Sequence, residues 1–276
     1  MEQAYPYGGH CPKADMVVVL RLGESTMSTG DNRAVVITGA STGIGAACAL
    51  HLDRVGFAVF AGVRKPEDGV ALQKAGSERL VPLELDVTDL ATIRKSCAVV
   101  LDATKERGLF GLINNAGIAD YLTITEASNE AWQKVMAVNL DGVLFGMRAI
   151  IPHMQAKGRG SIINISSIWG MTGAPVAPHY CGAKAALLGM TKAWAKEFAP
   201  WNIHVNAVAP GGVLSGGPLR YETPEQLKAK QEKVLLGRYA QPVEISFAVA
   251  FLASPEADFI TGQVISPNGG DVIVGI

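Results

Sequence analysis

The sequence carries little net charge, few cysteines and no long hydrophobic run, and each shortage excludes a class of protein. The formal net charge is -1 and no lysine or arginine run could follow a phosphate backbone, so nucleic acid is not an expected partner. No apolar run approaches the about 20 residues that span a bilayer, so no membrane partner is expected. The four cysteines lack zinc spacing, which predicts reduced thiols in a cytoplasmic protein without a metal: Cys11, Cys48, Cys97 and Cys181.

What is present fits a compact globular chain. Hydrophobic residues make up 49% of the 276 positions and charged residues 18%, which excludes a disordered chain. We expect residues 1–32 to form a flexible N-terminal extension, within which Met27 is an alternative start. Residues 33–276 show no linker, repeat or composition break, so they are predicted to form a single domain.

Short β-branched runs alternate with stretches of helical periodicity along this domain. The predicted strands are 34–38, 58–62, 80–85, 110–113, 161–165, 203–208 and 263–266. The predicted helices are 43–55, 89–107, 129–157 and 178–199, with two further helical segments before the last strand. Such alternation builds right-handed βαβ units, which predicts a doubly wound parallel sheet with helices on both faces.

A glycine-rich stretch, Thr38–Gly45, joins the first strand to the first helix. Its three glycines allow a tight turn, a close approach of pyrophosphate and close packing of helix on strand: Gly39, Gly43 and Gly45. Backbone amides at the start of the helix would then face the anion. The placement after the first strand of a βαβ unit predicts a dinucleotide site.

The same stretch also matches the nucleophile elbow of the α/β-hydrolases. In Gly39-Ala40-Ser41-Thr42-Gly43 the nucleophile would be Ser41, and the available histidines are His153, His179 and His204. An elbow after the first strand leaves no upstream strand for the oxyanion-hole loop. A serine hydrolase is therefore the more distant alternative.

The end of the second strand bears on the choice of cofactor. An acidic residue there would bind the ribose hydroxyls of NAD, whereas this chain has Arg64. The planar guanidinium suits a 2′-phosphate, so NADP(H) is favoured over NAD(H).

Four polar residues form a candidate catalytic group. Tyr180 and Lys184 are four residues apart and would share a helix face, where a cation lowers the pKa of a phenol. Tyr180 could then exchange a proton with an alkoxide or alcohol. Ser167 follows the fifth strand and could hydrogen-bond the substrate oxygen. Asn139 lies within a predicted helix, although asparagine has a low helix propensity. Its position therefore suggests a functional role such as holding a water.

Together these motifs closely resemble the classical short-chain dehydrogenase/reductase family over about residues 33–270. The motifs stand in the family's order: Thr38–Gly45, Asp86-Val87, Asn114–Gly117, Asn139, Ser167, Tyr180/Lys184 and Pro210-Gly211. The resemblance implies a seven-stranded Rossmann-type fold in three αβα layers and a homotetramer. It also implies a tetrad of Asn139, Ser167, Tyr180 and Lys184.

The resemblance further implies residues around the cofactor. Asp86 and Val87 would lie at the adenine, and Tyr180 and Lys184 at the nicotinamide ribose. Residues of the phosphate loop and of the later strand ends complete the set: Gly39, Ser41, Thr42, Gly43, Ile44, Gly45, Asn115, Gly117, Pro210, Gly211, Val213 and Ser215.

The substrate is predicted to lie under residues 214–238, a segment whose glycine-rich start suits a lid. The expected pocket residues favour a small apolar ketone or secondary alcohol: Trp169, Met171, His179, Leu214 and Tyr221. A helix-surface position is the alternative for His179. A dinucleotide-binding sensor or scaffold without turnover is the alternative for the whole chain, although such a protein has no need of Tyr180 and Ser167 together.

Overall fold

A computed structural model describes residues 33–105, 107–216, 219 and 222–274; the predicted extension at 1–32 lies outside these ranges. Seven strands form one sheet: β1 Ala34–Ile37, β2 Ala58–Val63, β3 Leu80–Glu84, β4 Leu109–Asn114, β5 Gly160–Ile165, β6 Ile203–Val208 and β7 Val264–Ile265. All neighbours pair in parallel, in the order β3-β2-β1-β4-β5-β6-β7. The predicted doubly wound sheet is thus confirmed, and its direction of winding changes between β1 and β4, where open α/β sheets bind ligands.

Helices cover both faces of this sheet. They are α1 Gly43–Arg54, α2 Pro66–Ala75, α3 Leu90–Ala103, α4 Asn129–Met136, α5 Gly142–Lys157, α6 Trp169–Thr172, α7 Pro178–Phe198, α8 Pro224–Gln231 and α9 Pro242–Leu252. Strand β1 shows why two helical layers form: Val35 and Ile37 join the core under α1 and α9, whereas Ala34 and Val36 join the core under α3, α5 and α7. Alternating side chains of a fully buried strand therefore serve two separate cores.

The stretch Asn129–Lys157 is long and apolar enough to cross a membrane by length and composition. In the fold it is interrupted by a π-helical turn at Ala137–Asp141, and its apolar face, including Val143, Met147 and Met154, is buried against the sheet. This is the arrangement of a core helix.

Helix α2 is an element that the hydrophobic pattern did not predict. Only Gly69 and Leu72 of its residues are buried, so it has no apolar stripe to detect. The helix packs against β3 at the edge of the sheet, away from the strand ends discussed below.

Candidate active site

The glycine-rich stretch lies between β1 and α1 and adopts a conformation that excludes larger residues. Gly39 has φ of +66°, and a Cβ atom there would lie 2.8 Å from the Cα of Ala116. A Cβ on Gly45 would lie 2.5 Å from Asn115 Nδ2. Thr42 precedes α1 without a side-chain cap, and the first turn contains no acidic residue. The amides at this helix start are thus available to an anion, and the loop fits a pyrophosphate.

Hydrogen bonds tie this loop to the end of β4. Thr38 Oγ1 accepts from the backbone amides of Asn115 and Ala116, both at 3.0 Å. In return, Asn115 Nδ2 donates to the carbonyl oxygens of Thr38 and Gly39 at 2.9 Å. The side-chain nitrogen of Asn115 therefore supports the phosphate loop itself. The sequence had indicated only that Asn115 lines the cofactor site.

The residues expected at the adenine end follow β2 and β3. Arg64 is exposed directly after β2, the strand beside β1. Asp86 Oδ1 accepts hydrogen bonds from the amide and hydroxyl of Thr88, at 2.8 and 2.7 Å. Val87 is buried against Gly142, where a Cβ would lie 2.8 Å from the valine side chain. These contacts hold the turn after β3 in a fixed shape.

The later strand ends complete the same edge of the sheet. Pro210 and Gly211 follow β6 after one intervening residue, and Val213 is buried. A Cβ on Gly43 would lie 3.3 Å from the Cβ of Ser215, so Ser215 lies against the phosphate loop. The segment after β6 is thereby placed beside the segment after β1.

Tyr180 and Ser167 come together at the centre of this edge. Ser167 lies just past β5, and Tyr180 lies in the first turn of α7. Burial raises the pKa of Tyr180 to about 12, whereas a hydrogen bond with Ser167 acts to lower it. The phenol is partly exposed, but the atoms packed around it, including the ring of Trp169 at 6.1 Å, withdraw it from water.

The net shift of the Tyr180 pKa is upward, opposite to the lowering expected from Lys184. Lys184 Nζ lies 5.6 Å from the centroid of the Tyr180 ring and donates at 2.8 Å to the carbonyl oxygen of Ile165. Lys184 is itself buried, and the loss of solvation lowers its own pKa to about 8. Desolvation therefore has the largest effect on the pKa of each group.

Asn139 occupies the π-helical turn between α4 and α5 and is fully buried. Its Nδ2 donates to the carbonyl oxygens of Ile118 and Val135, whereas Oδ1 accepts no hydrogen bond from any described residue. A Cβ on Gly117 would lie 2.8 Å from Asn139 Oδ1 and 3.3 Å from Lys184 Nζ. Gly117 therefore leaves room beside two polar groups that face a common point.

A cavity of about 310 Å³ lies next to this group. Trp169 lines it, as predicted, but Met171 and Leu214 do not, and Tyr221 lies outside the described residues. Sequence reasoning missed several lining residues because they come from distant segments: Tyr121, Lys230, Asp271 and Val272. Of these four residues, only Lys230 lies within residues 214–238, the segment that the sequence predicted to cover the substrate.

His179 is neither on the helix surface nor part of this cavity. It is fully buried, its ring is stacked on Trp132 of α4, and neither ring nitrogen has a hydrogen-bond partner among the described residues. Successive helix residues point about 100° apart, so the residue before Tyr180 faces α4 instead. Both interpretations of His179 were therefore wrong.

The hydrolase alternative finds no support at Ser41. His153 is exposed on α5, His179 is buried without a partner, and His204 lies on β6. In the described part of the chain, none of them is hydrogen-bonded to Ser41, as a nucleophile and its base would be. Groups of three potential metal ligands are also absent from these residues.

Comparisons with known proteins agree with this geometry. Residues 39–271 match the family described as Enoyl-(Acyl carrier protein) reductase. The chain is 38% identical over 248 residues to the 3-oxoacyl-(acyl-carrier-protein) reductase FabG of Thermotoga maritima, covering 88% of this chain and 99% of that protein. It is 36% identical over 250 residues to a cyclopentanol dehydrogenase of Comamonas testosteroni, covering 88% and 98%.

A solved structure gives the same result for the fold. The match is a short-chain dehydrogenase/reductase described as glucose/ribitol dehydrogenase, from Brucella melitensis, with a TM-score of 0.81 and 30% identity over 88% of this chain and 98% of that one. The strand order, the phosphate loop and these relatives together show that the chain belongs to the classical short-chain dehydrogenase/reductase family and is an NAD(P)-dependent oxidoreductase of alcohols and ketones.

Proposed function

We propose that the chain is an NADP(H)-dependent reductase and dehydrogenase in which Tyr180 transfers the proton and Ser167 holds the substrate oxygen. The observation that carries the proposal is the meeting of the hydrogen-bonded Ser167–Tyr180 pair with Lys184 and Asn139 at the edge that also bears the phosphate loop. A sensor without turnover would need the loop but not this pair.

The residues of the loop would hold the pyrophosphate through the backbone amides between Gly39 and Gly45. Arg64 is exposed one strand away and is free of any ion pair among the described residues, so its guanidinium can meet a 2′-phosphate. This supports NADP(H) over NAD(H). When bound, the nicotinamide would supply or accept a hydride, and all proton movements fall to the protein.

The raised pKa of Tyr180 defines its role in each direction. With a pKa of about 12, the phenol keeps its proton at neutral pH and can donate it to the alkoxide formed as a ketone is reduced. Oxidation of an alcohol requires the phenolate, so that direction should speed up as the pH rises. Lys184 Nζ and Asn139 Oδ1, which flank Gly117, would pass a proton onward through a water.

Residues 33–276 would form a single domain. Within it, residues 214–238 would cover the substrate. The aromatic rings of Tyr121 and Trp169 meet edge to face at 5.8 Å in the lining of the cavity. Aromatic walls of this kind suit a small ring or chain with a ketone or secondary alcohol.

Helix α9 supports assembly of more than one subunit. Val243, Phe247 and Phe251 recur every four residues and are exposed by 39%, 54% and 39%. An exposed apolar stripe marks a surface for protein contact, and it agrees with a homotetramer.

Free thiols at Cys48, Cys97 and Cys181 agree with a cytoplasmic location.

The direct test follows nicotinamide absorbance at 340 nm with purified protein, a panel of ketones and both reduced cofactors. We expect reduction of at least one small cyclic ketone, faster with NADPH than with NADH. NADPH binding without turnover across the panel would support the sensor instead.

A further inference from the structure

A tight turn around the side chain of Asn268 follows the last strand. Asn268 Nδ2 donates at 2.9 Å both to Ser266 Oγ and to the carbonyl oxygen of Val272. Asn268 Oδ1 accepts from the backbone amide of Gly270 at 2.8 Å. The carboxamide thus uses its donor and its acceptor at once, which a carboxylate of the same shape could not do.

The same turn is packed against the segment 214–238. Gly269 and Gly270 have φ of +66° and +83°, in the left-handed region that favours glycine. A Cβ on Gly270 would lie 2.7 Å from the side chain of Leu235, and the carbonyl oxygen of Gly269 accepts from the amide of Leu236 at 3.0 Å. Close packing on one side and Asn268 on the other therefore hold the turn in a single position.

The turn supplies part of the wall of the cavity beside the catalytic group. Asp271 and Val272 both line this cavity of about 310 Å³, as does Trp169. The ring of Trp169 also meets that of Tyr180 edge to face, at 6.1 Å between centroids. Asp271 is exposed, whereas Val272 is partly buried and presents an apolar, branched side chain. Val272 is thus the residue of the turn that limits the space for an apolar ligand.

We propose that Val272 limits the size of the ketone or alcohol that the cavity accepts, and that Asn268 holds Val272 in that place. The inference rests on the proposed function and adds a specificity-determining residue to it. Asn268 acts as a positioning residue, because its hydrogen bond to the carbonyl oxygen of Val272 keeps this wall from moving outward.

The first test compares kcat/KM for 4-tert-butylcyclohexanone and for cyclohexanone with NADPH. Val272→Ala should raise the ratio of the bulky to the small ketone by about tenfold, through a lower KM for the bulky one. Asn268→Asp should shift the ratio in the same direction, because a carboxylate cannot donate to the Val272 carbonyl. The control Val274→Ala, at an exposed valine, should keep the wild-type ratio. An unchanged ratio in Val272→Ala overturns the proposal.

The second test measures binding without turnover. Protein saturated with NADP⁺ cannot reduce a ketone, so calorimetry can measure the affinity for both ketones. Val272→Ala should bind 4-tert-butylcyclohexanone about tenfold more tightly than the wild type does, with cyclohexanone unchanged. If the wild type reduces neither ketone but this difference appears, the proposed function fails and the assignment of the wall stands. Equal affinities of wild type and Val272→Ala for both ketones would overturn that assignment.

The third test examines the hold of Asn268 on the turn without any substrate. Carboxypeptidase Y removes residues from the carboxyl end, and mass spectrometry follows the products. Removal of Val272 should be about tenfold faster in Asn268→Asp than in the wild type, because a lost hydrogen bond favours local opening. Asn129→Asp, at an exposed asparagine of α4, is the matched control. Equal rates in Asn268→Asp and the wild type would overturn the positioning role of Asn268.

Discussion

Replacing Lys184 with methionine should make the protein more stable at neutral pH, although it should abolish the proton relay. Lys184 is 3% exposed, and burial lowers its pKa from 10.5 to about 8. This lowering of the pKa means that the charged ammonium reduces the free energy of unfolding by about 3 kcal/mol at pH 7. Methionine of similar length also loses the hydrogen bond to the Ile165 carbonyl, worth about 1.5 kcal/mol or more. The expected net gain is about 1 kcal/mol.

The difference in the free energy of unfolding between Lys184→Met and the wild type should depend on pH. Between pH 8 and 10.5 the unfolded chain binds more protons at Lys184 than the folded chain does, so the wild type gains stability relative to Lys184→Met as the pH rises. Urea unfolding at pH 7 and pH 10, at one protein concentration, measures this change. The matched control is Lys192→Met, at an exposed lysine of α7, which should show no such trend. A pH-independent difference for Lys184→Met would refute the reasoning.

Three further predictions concern the cofactor, the relay and the assembly. Arg64→Ala should raise the KM for NADPH by about tenfold while leaving that for NADH nearly unchanged, since one charge-assisted contact is lost; equal losses would remove the basis for preferring NADP(H). Gly117→Val should lower kcat by about 100-fold, because its side chain would fill the space 2.8 Å from Asn139 Oδ1, and unchanged kcat would argue against a relay there. Phe247→Asp should shift the mass measured by light scattering towards smaller species, and an unchanged mass would exclude α9 from the interface.

The sheet could be predicted from sequence because its strands are short β-branched runs bounded by glycine or polar residues. The predicted and observed bounds of β6, Ile203–Val208, coincide. Helix α2 escaped prediction because an exposed edge helix needs no apolar stripe. The order of the motifs was enough to predict that Ser167 and Tyr180 form a pair, because Ser167 follows a strand and Tyr180 lies near the start of a helix.

Properties that depend on surroundings could not be predicted in this way. The pKa of Tyr180 is raised mainly by desolvation from packed neighbours, which the spacing to Lys184 does not reveal. The burial of His179 depends on the position of Trp132, which lies on a different helix. The cavity joins Tyr121, Lys230 and Asp271, which are far apart along the chain and meet only in the folded protein.

The variant Tyr180→Phe tests most directly whether Tyr180 transfers the proton. Phenylalanine keeps the ring against Trp169 and removes only the hydroxyl. NADPH affinity, measured by fluorescence titration, should be unchanged, whereas kcat for ketone reduction should fall by about 100-fold or more. Near-normal turnover by a variant that binds NADPH normally would contradict the account.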